Sequence, residues 1–161
     1  MQRYLPSGHP ERLPETDPIA YDLFADAYNA HWGCFSLTWL KVFGFLVGWR
    51  LPSEARVLDL CCGTGQIAAE LGARGYPVVG LDGSRGMLLH ARVNAPDARL
   101  FQGDARCFGL CPVFDAVVCM FDSLNHLLSA DELGAAFKSV YHCLVPGGVF
   151  LFDLNTEVGY L

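Results

Sequence analysis

Charge is scarce in this sequence. Only 17% of its 161 residues are Asp, Glu, Lys or Arg, against 52% apolar. Disordered chains show the opposite balance, so a folded domain is expected, and the length suffices for one buried core. Positive charge is scarcer still: eleven Lys and Arg, without a run of them, under a net charge of −6. Nucleic-acid binding calls for a basic patch or stripe, so no DNA or RNA partner is expected. Long apolar runs are missing too. The stretch from Trp39 to Trp49 contains Lys41 and is too short to cross a bilayer. Residues 1–15 hold no apolar segment of the signal-peptide kind. The expectation is a soluble, cytoplasmic protein with no membrane contact. The seven cysteines lack zinc spacing: Cys61 and Cys62 are adjacent, Cys107 and Cys111 four apart, and no His cluster completes a site. No metal is expected, and reduced thiols fit a cytoplasmic setting. Repeats and low-complexity segments are absent as well.

What is present is an alternation of strands and helices. Residues 1–18, rich in Pro, polar and charged groups, read as an arm, and 19–161 as the domain. Helical spacing covers Ile19 to Ala30, and a second helix is expected over Ser36 to Trp49. Strands are expected at Arg56–Leu60, Val78–Leu81, Ala98–Gln102, Phe114–Met120 and Val149–Leu154. Between them come helices from about Gly65 to Ala73, from Ser84 to Asn94 with an N-cap at Gly83 or Ser84, and from the capping box Ser129–Glu132 to about Leu144. The segment Pro146-Gly147-Gly148 is read as the stop of that last helix. This order predicts an α/β fold with a doubly wound, mostly parallel sheet of five strands and helices N-terminal to it.

The chemistry concentrates at strand ends. Val57-Leu58-Asp59-Leu60-Cys61-Cys62-Gly63-Thr64-Gly65 places a glycine turn between strand and helix, where backbone can approach a ligand closely. Gly63 to Ala68 also fits the dinucleotide pattern G-x-G-x-x-A. Asp59 favours a different ligand, because a carboxylate beside this turn repels a pyrophosphate and attracts a cation such as the ammonium or sulfonium of S-adenosylmethionine. Asp82, followed by Gly83, ends the second strand, and an acid there accepts hydrogen bonds from ribose hydroxyls; capping of the next helix is the plainer alternative. Asp104, followed by Ala105, is a candidate acceptor for an adenine amino group. Met87 suits either an adenine face or the core. His126 is the one histidine near the exit of the fourth strand, where a base near neutral pH and a purely structural residue are both readings.

Taken in order, V57LDLCCGTG65, V79GLDGSRGML88, F101QGDA105, F114DAVVCMFDSLNHL127 and L144VPGGVFLFDLNT156 make the chain resemble the class I, Rossmann-like methyltransferases that use S-adenosylmethionine. The resemblance implies this donor as cofactor, with S-adenosylhomocysteine as product. It implies that Asp59, Cys61 and the Gly63–Gly65 turn hold the methionine end, that Asp82 holds the ribose, and that Asp104 and Ala105 flank the adenine. Phe121 and Asp122 would border the methyl group. Tyr21 or Tyr28, in a segment similar to the N-terminal helix of small-molecule members, would touch the methionine end. The family usually has Gly where Cys61 stands. No catalytic residue is assigned by the resemblance.

The Asn-Pro-Pro-aromatic motif of base-amino methyltransferases is absent after the fourth strand, where the sequence reads Phe121-Asp122-Ser123-Leu124-Asn125-His126. A small-molecule acceptor is therefore expected. Family members usually continue past the fifth strand with two more, whereas this sequence stops at Leu161. A truncated product, a homodimer paired at the fifth-strand edge, and completion by another chain are the three expectations drawn from that. A non-catalytic binding module and a nucleotide-dependent oxidoreductase remain the competing functions.

Overall fold

Parity along the strands sorts the core into two layers. In β1 (Val57–Leu60) every residue is buried, yet Val57 joins one apolar cluster and Leu58 and Leu60 the other. In β4 (Phe114–Cys119), Val118 faces the first cluster and Val117 and Cys119 the second. Successive side chains in a strand point to opposite faces, so a strand apolar at every position requires cover on both sides, as parallel sheets have.

The computed structural model describes residues 18–155; the expected arm, but for Pro18, lies outside them. Around β1 and β4 stand β2 (Val78–Asp82), β3 (Arg99–Gln102) and β5 (Leu144–Phe152). All pairings are parallel, in the order β3-β2-β1-β4-β5. The first cluster is built on α2 (Trp39–Leu46) and α3 (Gln66–Ala73), and the second on α5 (Ala130–Cys143). The order reverses between β1 and β4, the switch point at which open α/β sheets bind ligands.

Two helices carry the caps that the sequence advertised. Ser84 accepts the Met87 N–H and starts α4 (Arg85–Asn94), and Ser129 accepts the Glu132 N–H and starts α5. Gly65 sits at φ 85° before α3, and a Cβ there would come within 2.9 Å of the Ala91 backbone in α4. Glycine at 65 thus serves both the turn and the close packing of α3 on α4.

Two expectations are corrected. The single helix over Ser36 to Trp49 is three pieces: a 3-10 turn Gly33–Thr38, α2, and a 3-10 turn Gly48–Arg50. Ser36 and Thr38 hydroxyls donate back to the Gly33 and Phe35 carbonyls at 2.7 and 2.8 Å, the local competition that disfavours a regular helix. The second correction concerns Pro146-Gly147-Gly148, which lies inside β5 and does not end the helix. Leu144 is already extended, and Val145 precedes a proline, which disfavours helical backbone. The register shift between Phe114 and Ala116 takes up the irregular segment.

The N-terminal helix α1 (Pro18–His31) docks through a polar stripe at positions 22, 26 and 29. Asp22 accepts the Ser84 hydroxyl at 2.6 Å and the Gly86 N–H at 2.7 Å. Asp26 meets His90 at 2.8 Å, and the Asn29 side-chain oxygen accepts from Asn94 at 2.8 Å and Gln66 at 3.1 Å. Gly86 permits the approach, since a Cβ there would lie 2.9 Å from the Asp22 backbone. The neighbouring face of α1, with Tyr21 and Tyr28, then roofs the carboxyl ends of the strands.

Candidate cofactor and acceptor pocket

Under that roof lies a cavity of about 850 Å³. Four of the five strand ends contribute to its wall: Cys61 and Gly63 after β1, Asp82 and Gly83 at β2, Asp104 to Arg106 after β3, and Phe121 to Leu124 after β4. Tyr21, Tyr28 and Met87 line it as well, so most of the residues singled out in the sequence border one space. Met87 is almost wholly buried there. Asp59 and Gly65 are not part of the wall. Asp59 shares its strand face with Val57, toward α3, and the Ala68 N–H in the first turn of α3 is its hydrogen-bond donor. Its Oδ2 is buried without a partner among the described residues. Burial first, then the charge of Asp82, raises its carboxyl to about 8.

Asp82 organises the glycine turn. Its Oδ2 accepts the Gly63 N–H at 2.7 Å and its Oδ1 the Ser84 N–H at 2.8 Å. Burial raises its carboxyl, against the lowering effect of those two bonds. Each oxygen can accept a further hydrogen bond, and Asp82 lines the cavity.

Asp104 has a competitor for its carboxylate. Arg106 Nε lies 3.0 Å from both oxygens and Nη2 2.7 Å from Oδ2, while Nη1 pairs with Glu132. The Arg106 guanidinium holds the Asp104 carboxyl below its usual range. Glu132 in turn accepts the Leu128 N–H, and the Ser139 hydroxyl donates to the Arg106 carbonyl. Arg106 was not anticipated. Its only signal in the sequence was the Asp-x-Arg spacing, which suits a local turn and ion pair as well as any site.

At the other end, Tyr21 Oη and His126 Nε2 are 2.7 Å apart, with the rings edge to face. Burial and the charge of Asp82 raise the Tyr21 phenol, so the hydroxyl keeps its proton, and the tautomer of His126 sets which of the two donates. Tyr28 is pushed up to about 12, chiefly by burial, and sits edge-on to Phe121. Phe121 and Asp122 both have left-handed backbone, at φ 64° and 63°, a costly pair of conformations for residues other than glycine. The chain after β5 holds them: the Asp153 carboxylate accepts the Asp122 N–H at 2.8 Å, and the Asn155 amide donates to Asp122 Oδ1 at 2.7 Å.

Among the described residues no cluster of His, Cys, Asp and Glu is placed to hold a metal, and no helix is long and apolar enough to cross a membrane.

Residues 57–148, which hold β1 to β4 and most of the wall, match the family model described as Methyltransferase domain. Over 108 residues the chain is 44% identical to the dTDP-3-amino-3,4,6-trideoxy-alpha-D-glucopyranose N,N-dimethyltransferase of Streptomyces venezuelae, covering 67% of this chain and 46% of that one. It is 41% identical over 121 residues to the dTDP-3-amino-3,6-dideoxy-alpha-D-glucopyranose N,N-dimethyltransferase of Streptomyces fradiae, covering 72% and 48%. Among solved structures, CalS10 with bound S-adenosylmethionine, an amino pentose methyltransferase from Micromonospora echinaspora, is similar at a TM-score of 0.70 and 34% identity, covering 83% of this chain and 56% of that one. The chain thus spans about half the length of the relatives it matches. By its sheet order, its strand-end pocket and a family match running through both, the chain belongs to the class I methyltransferases.

Proposed function

We propose that this chain binds S-adenosylmethionine and transfers its methyl group to an amine on a small, sugar-like acceptor. One observation carries the reading: a single cavity at the switch point whose wall holds Asp82, Asp104 and Asp122 against Arg106 as the only Lys or Arg. With Arg106 already engaged by Asp104 and Glu132, the balance is acidic and favours a cationic ligand over a pyrophosphate. The residues therefore fit the donor. When bound, S-adenosylmethionine supplies a methyl group on a sulfonium leaving group.

The protein's part is placement. Asp82 lines the cavity with oxygens able to accept from ribose hydroxyls. Met87 and Ala105 offer apolar surface for adenine, and Arg106 fixes Asp104 beside it. The left-handed Phe121–Asp122 turn and the tyrosines of α1 confine the reacting end, and such alignment supplies much of the rate enhancement in displacement reactions. Proton removal falls to Tyr21 and His126: the Tyr21 oxygen accepts a proton from the acceptor nitrogen as its own proton passes to His126 Nε2. The acceptor class rests on the two sugar N,N-dimethyltransferases named above. Free thiols at all seven cysteines fit a cytoplasmic location. The outer edge of β5 has no strand partner among the described residues, and we propose a homodimer through it; a monomer in size-exclusion chromatography with light scattering would reject that.

Calorimetric titration with S-adenosylmethionine and S-adenosylhomocysteine tests the reading. Micromolar binding that Asp82→Ala loses while keeping the wild-type circular dichroism spectrum supports it. A folded protein that binds neither ligand rejects it.

A further inference from the structure

Two thiols meet at the floor of the pocket. Cys61 has left-handed backbone, at φ 58°, so the chain turns where β1 ends and strand alternation breaks. Leu60 and Cys61, though consecutive, therefore belong to the same apolar cluster, and Cys119 is in it too. Cys119 is the last residue of β4 and wholly buried. The β1–β4 register sets Asp59 beside Val118, so Leu60 is level with Cys119 and Cys61 is its diagonal neighbour. From strand spacing and rise, such neighbours have Cα atoms about 6 Å apart, within the span of a disulfide. The neighbouring Cys61 thiol, together with burial, pushes the Cys119 thiol up. Only one of the pair, Cys61, lines the cavity. Cys62 is directed elsewhere: its sulfur and Cβ pack where a side chain at Gly80 would stand.

We propose that Cys61 is an oxidation site inside the cofactor pocket, with Cys119 as its partner thiol and a peroxide as oxidant. Cys61 is met first because it faces the cavity. Its sulfur attacks one oxygen of hydrogen peroxide, the O–O bond breaks, and the thiol proton leaves with the other oxygen as water. The product is a sulfenic acid. The Cys119 sulfur then attacks the Cys61 sulfur, the S–O bond breaks, and the hydroxyl departs as a second water with the Cys119 proton. In all, two thiols lose two electrons and one peroxide becomes two waters.

The bond draws Cys61 into the floor and strains the turn that carries Gly63, whose N–H is tied to Asp82 at 2.7 Å. The pocket is thereby lost to its ligand, and a thiol reductant restores it. This last consequence rests on the cofactor reading above; the disulfide itself does not.

The test uses the whole chain, first reduced, then treated with hydrogen peroxide with and without saturating S-adenosylhomocysteine. Non-reducing digestion and mass spectrometry are expected to show the Cys61 and Cys119 peptides joined, more slowly when the ligand is present. Affinity for S-adenosylhomocysteine should fall at least about tenfold and return with dithiothreitol. In Cys119→Ala, Cys61 should stop at the sulfenic acid, captured by dimedone, with no cross-link. Recovery of Cys61 as a free thiol while exposed Cys34 or Cys107 oxidises overturns the proposal, as does a Cys61–Cys62 bond. Should Cys119→Ala fail to fold, the wild-type peptide map decides alone. If the reduced protein binds no S-adenosylhomocysteine, the cofactor reading fails, and the peptide map still decides the thiol pair.

Discussion

Asp153 Oδ2 accepts the backbone N–H of Asp122 at 2.8 Å, so the chain end of β5 fixes the left-handed turn that leaves β4. The contact sets two carboxylates close together, and the Asp153 carboxyl is raised, first by burial and also by the Asp122 charge. Asparagine at 153 retains an oxygen acceptor and removes the repulsion. Asp153→Asn is therefore expected to match or exceed wild-type stability, while Asp153→Ala loses about 1 kcal/mol in urea denaturation. An alanine variant as stable as the asparagine variant would show that the bond does not hold the turn.

Arg106 is tied to both Asp104 and Glu132, and its removal frees Asp104 and uncouples the β3 loop from α5. The Arg106→Ala variant is expected to bind S-adenosylhomocysteine about tenfold more weakly, as loss of a bidentate charged pair allows, with helix content unchanged. Calorimetry reads the affinity. Lysine at 106 should recover only part of it, because an ammonium does not reproduce the fork.

Asp59 makes stability depend on pH. Its carboxyl titrates at 3.8 in the unfolded chain and at about 8 when folded, so between those values the native state holds the extra proton. Stability contributed by the buried neutral acid is present below the unfolded value and is lost as pH rises toward about 8. Asp82 is raised as well and acts in the same direction. Urea midpoints of the unliganded protein should therefore decline from pH 5 to pH 8, and Asp59→Asn should flatten the decline. An unchanged slope in that variant would assign the effect elsewhere.

Strands, helix caps and glycine turns were readable because each rests on local chemistry: the apolar runs in β1 and β4, Ser84 and Ser129 as caps, Gly65 at the turn. Long-range placement was not. Asp59 stands in the motif where a cation-binding acid is expected, yet strand parity turns it toward α3, and parity relative to a helix depends on the assembled sheet. The Arg106–Glu132 pair joins positions 26 residues apart and the Tyr21–His126 bond positions 105 apart. Nothing near either residue in sequence announces its partner. The failure at Ser36 to Trp49 had a local cause, the hydroxyls of Ser36 and Thr38, which apolar spacing does not weigh.

Asp22 shows how far α1 depends on one side chain. It accepts from both Ser84 and Gly86, and those bonds hold its carboxyl below the usual range. Asp22→Ala is expected to speed hydrogen exchange across α1 while leaving β1 and β4 protected, with weaker ligand binding because Tyr21 and Tyr28 ride on that helix. Equal exchange in the two proteins would transfer the docking role to Asp26 and Asn29.

Two left-handed positions in one loop give opposite expectations. Gly65 at φ 85° has the Ala91 backbone in the path of a Cβ, so Gly65→Ala combines backbone strain with overpacking and should cost about 2–4 kcal/mol. Cys61 at φ 58° already carries the cost of a side chain in that region. Cys61→Gly should relieve about 1 kcal/mol of it, less the added freedom of the unfolded chain. Urea midpoints at one pH compare the two directly. Should Cys61→Gly prove clearly destabilising, the contacts of its sulfur with the cluster around Cys119 outweigh the strain.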